Sequence, residues 1–206
     1  MARVSNRRVV SKGEPIQRDL GEGDGVASLV SGVVSLSRGL PDGRHQIVGL
    51  QFPPRVLGAV SGCDHRTEAI ARDTVRLCAV ARRDFEGVLS RFPKLEHEVL
   101  RQISEQLGES QDWLLAIGRK SAAERVASFL EMVAHHGSRA PSPEATVLCH
   151  LPLSRGAMAD FLGLTIETVS RKMSELRRAG ILDFTDATAV RILSPARLRM
   201  ATGDVS

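Results

Sequence analysis

The side chains with recognisable chemistry gather in one stretch, LPLSRGAMADFLGLTIETVSRKMSELRRAGIL, from Leu151 to Leu182. Glu167, Ser170 and Arg171 fall on one outward helical face, followed by Lys172 and Arg178, with Arg177 nearby. A carboxylate accepts a hydrogen bond from cytosine N4, and an arginine fork donates two to guanine O6 and N7. The set therefore suits the major groove of duplex DNA. The same residues also fit a solvated helix face with an i, i+4 pair between Glu167 and Arg171. The turn, caps and packing positions around them favour DNA reading.

The elements that must hold these groups show in the local signals. Ser154 caps a helix with Arg155 in its first turn, Leu162-Gly163-Leu164 makes a tight turn, and Thr165 caps a second helix that stops at Gly180. Two helices joined by three residues is helix-turn-helix geometry. Small Ala159 lets the helices approach, Gly163 supplies the turn conformation, and Val169 plugs the gap between them. Met158, Leu162, Met173 and Leu176 complete the buried face. Upstream, Ser121 and Glu124 spell a capping box for an amphipathic helix from Ala122 to about His136. A proline-bearing loop follows, and two short apolar runs, Ile181 to Phe184 and Ala189 to Leu193, flank the polar Thr185 to Thr188. Helix, helix, hairpin is the outline of a winged helix.

Residues 1–92 read differently. Short apolar runs at Val26 to Leu36, His45 to Leu50, Arg55 to Val60, Ala69 to Ala71 and Val75 to Val80, punctuated by turns such as Pro41-Asp42-Gly43, predict a small antiparallel β-barrel. There is no βαβ alternation. From Lys94 to Ala116 proline is absent, and Leu95, Val99, Ile103, Leu107, Leu114 and Ile117 recur at helical spacing. The segment is longer than one small barrel can cover, which predicts a dimerisation helix; packing on its own barrel is the alternative. The chain is thus expected to be α+β: a β-barrel over 1–92, a dimerisation helix and hinge over 93–120, and a winged helix-turn-helix over 121–206.

Composition narrows the partners. With 206 residues, 42% hydrophobic, the chain can build a real core. A net charge of +4 and a pI near 9.4 push mildly toward a polyanion. Aromatics are only 3%, with no Tyr, which argues against single-strand recognition by base stacking. No run approaches the ~18 apolar residues of a membrane span. Three scattered cysteines fit a reducing compartment, so a cytoplasmic protein with no membrane partner is expected. No nucleophile elbow, HExxH, Walker loop or dinucleotide fingerprint occurs, and no catalytic residue is assigned.

LGLTIETVSR, from Leu162 to Arg171, resembles the recognition-helix signature of the CRP/FNR transcription regulators, especially the FixK-like and FNR branch with its E-x-x-S-R. VSGVVSL from Val30 resembles that family's barrel strand pair, LPDGRHQI from Leu40 its hairpin, and RKSAAERVASF from Arg119 its hinge. The resemblance implies a cyclic-nucleotide-binding-like barrel and a homodimer on an inverted repeat of TTGAT-like half-sites, with RNA polymerase as a further partner. It implies base reading by Glu167, Ser170 and Arg171. Ser154, Arg155, Thr165 and Thr168 match or adjoin its phosphate-contacting positions. Lys172 departs from the pattern, which usually has an apolar residue there; its stem can snorkel along the helix interface.

The family's effectors fit less well. The first cysteine is Cys63, so the N-terminal cysteine cluster of the iron–sulfur relatives has no counterpart. The loop from Gly58 to Thr67 keeps an Arg66-Thr67 pair for a cyclic phosphate but has Ala59 where a Glu would follow Gly58. The expectation is a barrel without cofactor or metal that serves dimerisation and polymerase contact. The alternative is a ligand-gated regulator whose barrel binds a nucleotide, haem or another small effector. His135-His136 and Cys149-His150 flank the proline loop and make a zinc-like set if it brings them together; the plainer reading is one helix ending and another starting. Cys149, five residues before the Ser154 cap, is the candidate redox thiol, with an inert core residue as the alternative.

Overall fold

The computed structural model describes residues 6–16, 25–58, 67–137, 146–186 and 188–204. The chain divides into two compact units, Met1–Gln111 and Asp112–Ser206. No helix among the described residues is long and apolar enough to cross a membrane.

The first unit holds strands β1 (Asn6–Val10), β2 (Gly25–Ser31), β3 (Val34–Gly39), β4 (His45–Gln51), β5 (Arg55–Leu57), β6 (Glu68–Ala71) and β7 (Val75–Ala81). Alternation does the folding: along β7, Val75, Leu77 and Ala79 are buried while Arg76 is exposed. The strands pair antiparallel in two sheets, ordered β1-β7-β2-β5 and β4-β3-β6, which share one core built on Val10, Ile16, Leu29, Val34, Leu57 and Leu77. Among the described residues the sheets do not join into a closed ring, so the expected barrel has the form of two sheets around a core. Gly32 makes the β2–β3 link possible. Its φ is +89°, and an added Cβ would fall 2.6 Å from the Asp73 carboxylate, which accepts the Val33 amide at 2.8 Å.

Two helices follow, α1 (Arg82–Leu89) and α2 (Pro93–Arg119). The first lacks any strong sequence signal. The second is longer than the apolar pattern predicts, with Pro93 at its first turn, where a missing N–H costs nothing. Its early part is fastened to the first unit. Arg55 Nη1 donates to the Gln102 carbonyl at 3.2 Å and pairs with Glu109, while the Gln102 side chain accepts the Val56 amide at 3.2 Å.

The second unit comprises the end of α2, α3 (Ala122–Gly137), β8 (Val147–His150), α4 (Arg155–Leu162), α5 (Ile166–Arg178), β9 (Leu182–Phe184), β10 (Ala189–Ile192) and α6 (Pro195–Met200). The capping box forms as read: Glu124 accepts the Ser121 amide at 2.7 Å and the Ser121 hydroxyl accepts the Glu124 amide at 3.4 Å. Cys149-His150 does not begin a helix. It lies in β8, which pairs with β10 (Cys149 opposite Val190) in a sheet ordered β8-β10-β9. Among the described residues no cluster of three metal-ligating side chains forms.

Phe161 of α4 is the centre of this unit's packing. It is 2% exposed, edge-to-face with Trp113 (4.5 Å between centroids) and with Phe129 (5.9 Å). Phe161→Ala should cost about 3 to 5 kcal/mol of this unit's stability, the usual range for emptying an aromatic site. Denaturant unfolding followed by Trp113 fluorescence measures it; an unchanged midpoint would contradict the packing described.

Candidate nucleic-acid interface

The interface is built by two short helices and the turn between them. The Ser154 hydroxyl accepts the Ala157 amide at 3.2 Å and starts α4; the Thr165 hydroxyl accepts the Thr168 amide at 3.2 Å and starts α5. Between them Gly163 stands in the left-handed region (φ 61°, ψ 43°) and its amide returns to the Ala159 carbonyl. Arg125 of α3 donates Nη1 to the Leu162 carbonyl at 3.2 Å, giving a partner to the end of α4. Met158, Ala159, Leu162, Val169, Met173 and Leu176 are all buried, and Met158, Leu162, Val169 and Met173 fully so.

That packing leaves the opposite face of α5 outward. Glu167, Ser170 and Arg171 are exposed, as are Arg177 and Arg178. Glu167 and Arg171 do not form the i, i+4 pair of a solvated face. The Glu167 carboxyl is held below its usual pKa by its own backbone amide and the Thr165 hydroxyl, so it is ionised at neutral pH and acts only as an acceptor. Arg171 makes no hydrogen bond or ion pair with a described residue. Lys172, the departure from the family pattern, is half-buried and reaches Glu175 at 2.8 Å.

The residues expected at phosphate divide into two groups. Ser154, Thr165 and Thr168 lie at helix starts; the Ser154 and Thr165 hydroxyls accept the capping amides, and the Thr165 and Thr168 hydroxyls lie within hydrogen-bond distance, 3.2 Å, of one another. Arg155 is half-buried, packed against Phe184 of β9, a contact that no sequence pattern indicates.

The expected dimer residues also divide. Val99 is buried at 4% within its own unit, and Leu95 and Ile117 are half-buried, whereas Ile103, Leu107 and Leu114 are 46%, 60% and 71% exposed. Val99 therefore leaves the outward stripe. Leu100 and Leu115, both 59% exposed, join it. Packing on the chain's own unit and an unpartnered outward face thus coexist on one helix. In the loop from Gly58 to Thr67, residues 59–66, Cys63 among them, lie outside the described residues.

Cys149 is 1% exposed, and burial pushes its thiol up to about 11. A protonated, buried thiol is a poor nucleophile, so the geometry favours the small core residue over the redox thiol at Cys149. Because the folded thiol holds its proton more tightly than the unfolded one, its contribution to stability is full below the unfolded thiol's pKa and is lost as pH rises toward about 11. Iodoacetamide at pH 8 should leave Cys149 unmodified in native protein and label it after unfolding, as read by peptide mass spectrometry. Rapid native labelling would contradict the burial.

Comparison with known proteins adds to this geometry. Residues 124–201 match the family model of the Crp-like helix-turn-helix domain, and residues 7–92 match that of the cyclic nucleotide-binding domain. The chain is 37% identical over 180 residues to a probable transcriptional activator of Rhizobium leguminosarum bv. viciae, covering 87% of this chain and 74% of that one. It is 34% identical over 185 residues to the transcriptional activator protein FnrL of Cereibacter sphaeroides, covering 89% and 75%. Its fold is similar to the structure of FixK2 from Bradyrhizobium japonicum, with a TM-score of 0.84 and 32% identity over 98% of this chain and 100% of that one.

Proposed function

We propose that this chain, which belongs to the CRP/FNR family of transcription regulators, acts as a homodimer that reads a TTGAT-like inverted repeat in duplex DNA without a bound cofactor. It is a regulator of the FixK/FNR type, not an enzyme. The observation that carries the finer reading is the outward face of α5: an ionised carboxylate, a hydroxyl and a guanidinium, fixed by a capped helix start and left without one another as partners. In this reading Glu167 accepts from cytosine N4, Arg171 donates its fork to guanine, and Ser170 completes the set. Ser154, Arg155, Thr165 and Thr168 contact the backbone and set the register without choosing sequence.

Leu100, Leu107 and Leu114 recur every seven residues along α2 with Ile103 beside them, the spacing of a coiled-coil seam, and a second copy is their proposed cover. Two recognition helices related by a two-fold axis call for an inverted repeat. The names of the relatives, transcriptional activators, support RNA polymerase as the further partner and the cytoplasm as the place of action.

Arg171→Ala should cost about 1 to 3 kcal/mol per half-site and relax the choice of guanine, while Arg155→Ala should weaken all sequences alike. Competition binding with half-site variants separates the two; reversed effects would overturn the assigned roles. Paired Ile103→Glu and Leu114→Glu changes should give monomers that no longer bind the repeat tightly, and sedimentation showing an intact dimer would refute the α2 seam. Purified protein should bind the repeat without added ligand. A requirement for cyclic AMP, or haem found by mass spectrometry, would refute the cofactor-free reading.

A further inference from the structure

Three elements of the second unit converge on one aromatic ring. Arg155, in the first turn of α4, and Arg177, in the last turn of α5, lie over Phe184 of β9 with guanidinium carbons 5.4 and 5.5 Å from its centroid. Both distances are within cation–π range. Taken alone, the arrangement is electrostatically unfavourable. Arg155 stands at a helix N-terminus, whose macrodipole opposes a cation. Burial disfavours its charged form, and a second guanidinium shares its ring.

The local anions do not offset this. Among the described residues no carboxylate pairs with Arg155; its Nη1 donates to Met158 Sδ at 3.4 Å, a weak acceptor. Asp183 pairs with Arg177 Nε at 3.0 Å, so two guanidinium groups and one carboxylate leave an excess positive charge beside the β9–β10 turn. An external anion would complete the cluster, and the two guanidinium forks held at one ring suit the geometry of a phosphate.

We propose that Phe184 is a positioning residue whose ring holds Arg155 and Arg177 as a paired clamp for one DNA backbone phosphate beside the β9–β10 turn. This rests on the DNA reading above and adds to it a residue that touches no base. A clamp of this kind strengthens binding to every sequence and leaves base choice to α5.

The test is the salt dependence of duplex binding by the full chain. Each phosphate contact contributes a slope of roughly 0.9 in log K against log salt, so losing one per half-site flattens a dimer's slope by roughly two. Phe184→Leu keeps apolar bulk but removes the π face; it should flatten the slope by that amount and weaken binding about tenfold near physiological salt, with the ranking of half-sites unchanged. Phe184→Tyr should restore both. Arg177→Gln, at an exposed side chain, should flatten the slope as Phe184→Leu does, and it decides the matter alone if the leucine variant melts early. A wild-type slope in Arg177→Gln or in folded Phe184→Leu, or a flattening shared by Phe184→Tyr, overturns the clamp and leaves the DNA reading in place. Wild-type binding that is insensitive to salt overturns both.

Discussion

The left-handed residue at Gly163 is the constraint on which the DNA-facing half of the molecule depends. A side chain there would cost about 1 to 2 kcal/mol in backbone strain alone, and without that turn α4 and α5 could not bury Val169 and Met173 against one another. The turn also brings the Leu162 carbonyl to Arg125, tying the start of α3 to the end of α4. Once this corner is set, the outward residues of α5 are decided by helical periodicity. Glu167, Ser170 and Arg171 face out because Val169, Met173 and Leu176 face in.

A second division of labour runs along α2. One face, through Val99 and the bonds between Arg55 and Gln102, belongs to the first unit, and another carries large exposed apolar side chains. Exposed leucines at heptad spacing are costly in water, and in the proposed homodimer a second copy covers them. In the proposed dimer, reading falls to α5, register to the helix starts and the wing, and two-fold symmetry to α2.

Local chemistry made much of this legible in the sequence. Ser154, Thr165, Gly163 and the Ser121–Glu124 box act within a few residues of themselves, so their effect can be read without the fold. What escaped depends on pairing across the chain. Val147 to His150 is a strand because β10 lies beside it, not because its own residues demand one. Phe184 reads as one more apolar residue of a wing strand until Arg155 and Arg177 are brought to its ring. Likewise, the apolar repeat of α2 could not say which side packs inward. Val99 and Leu100 are neighbours of similar hydrophobicity, and only the fold separates the buried one from the exposed one. Arg82–Leu89 is a helix too short for periodicity to announce.

The central claim is that Arg171 reads a guanine edge. Replacing the contacted guanine with 7-deazaguanine removes one acceptor of the bidentate pair while leaving the base paired and the backbone intact. Affinity measured for native and 7-deaza duplexes, with wild-type protein and with Arg171→Ala, forms a double-mutant cycle. Base replacement should weaken binding by the wild type and leave that of the variant almost unchanged. Equal losses in both proteins would mean that Arg171 does not touch that base and would contradict the assignment of the recognition helix.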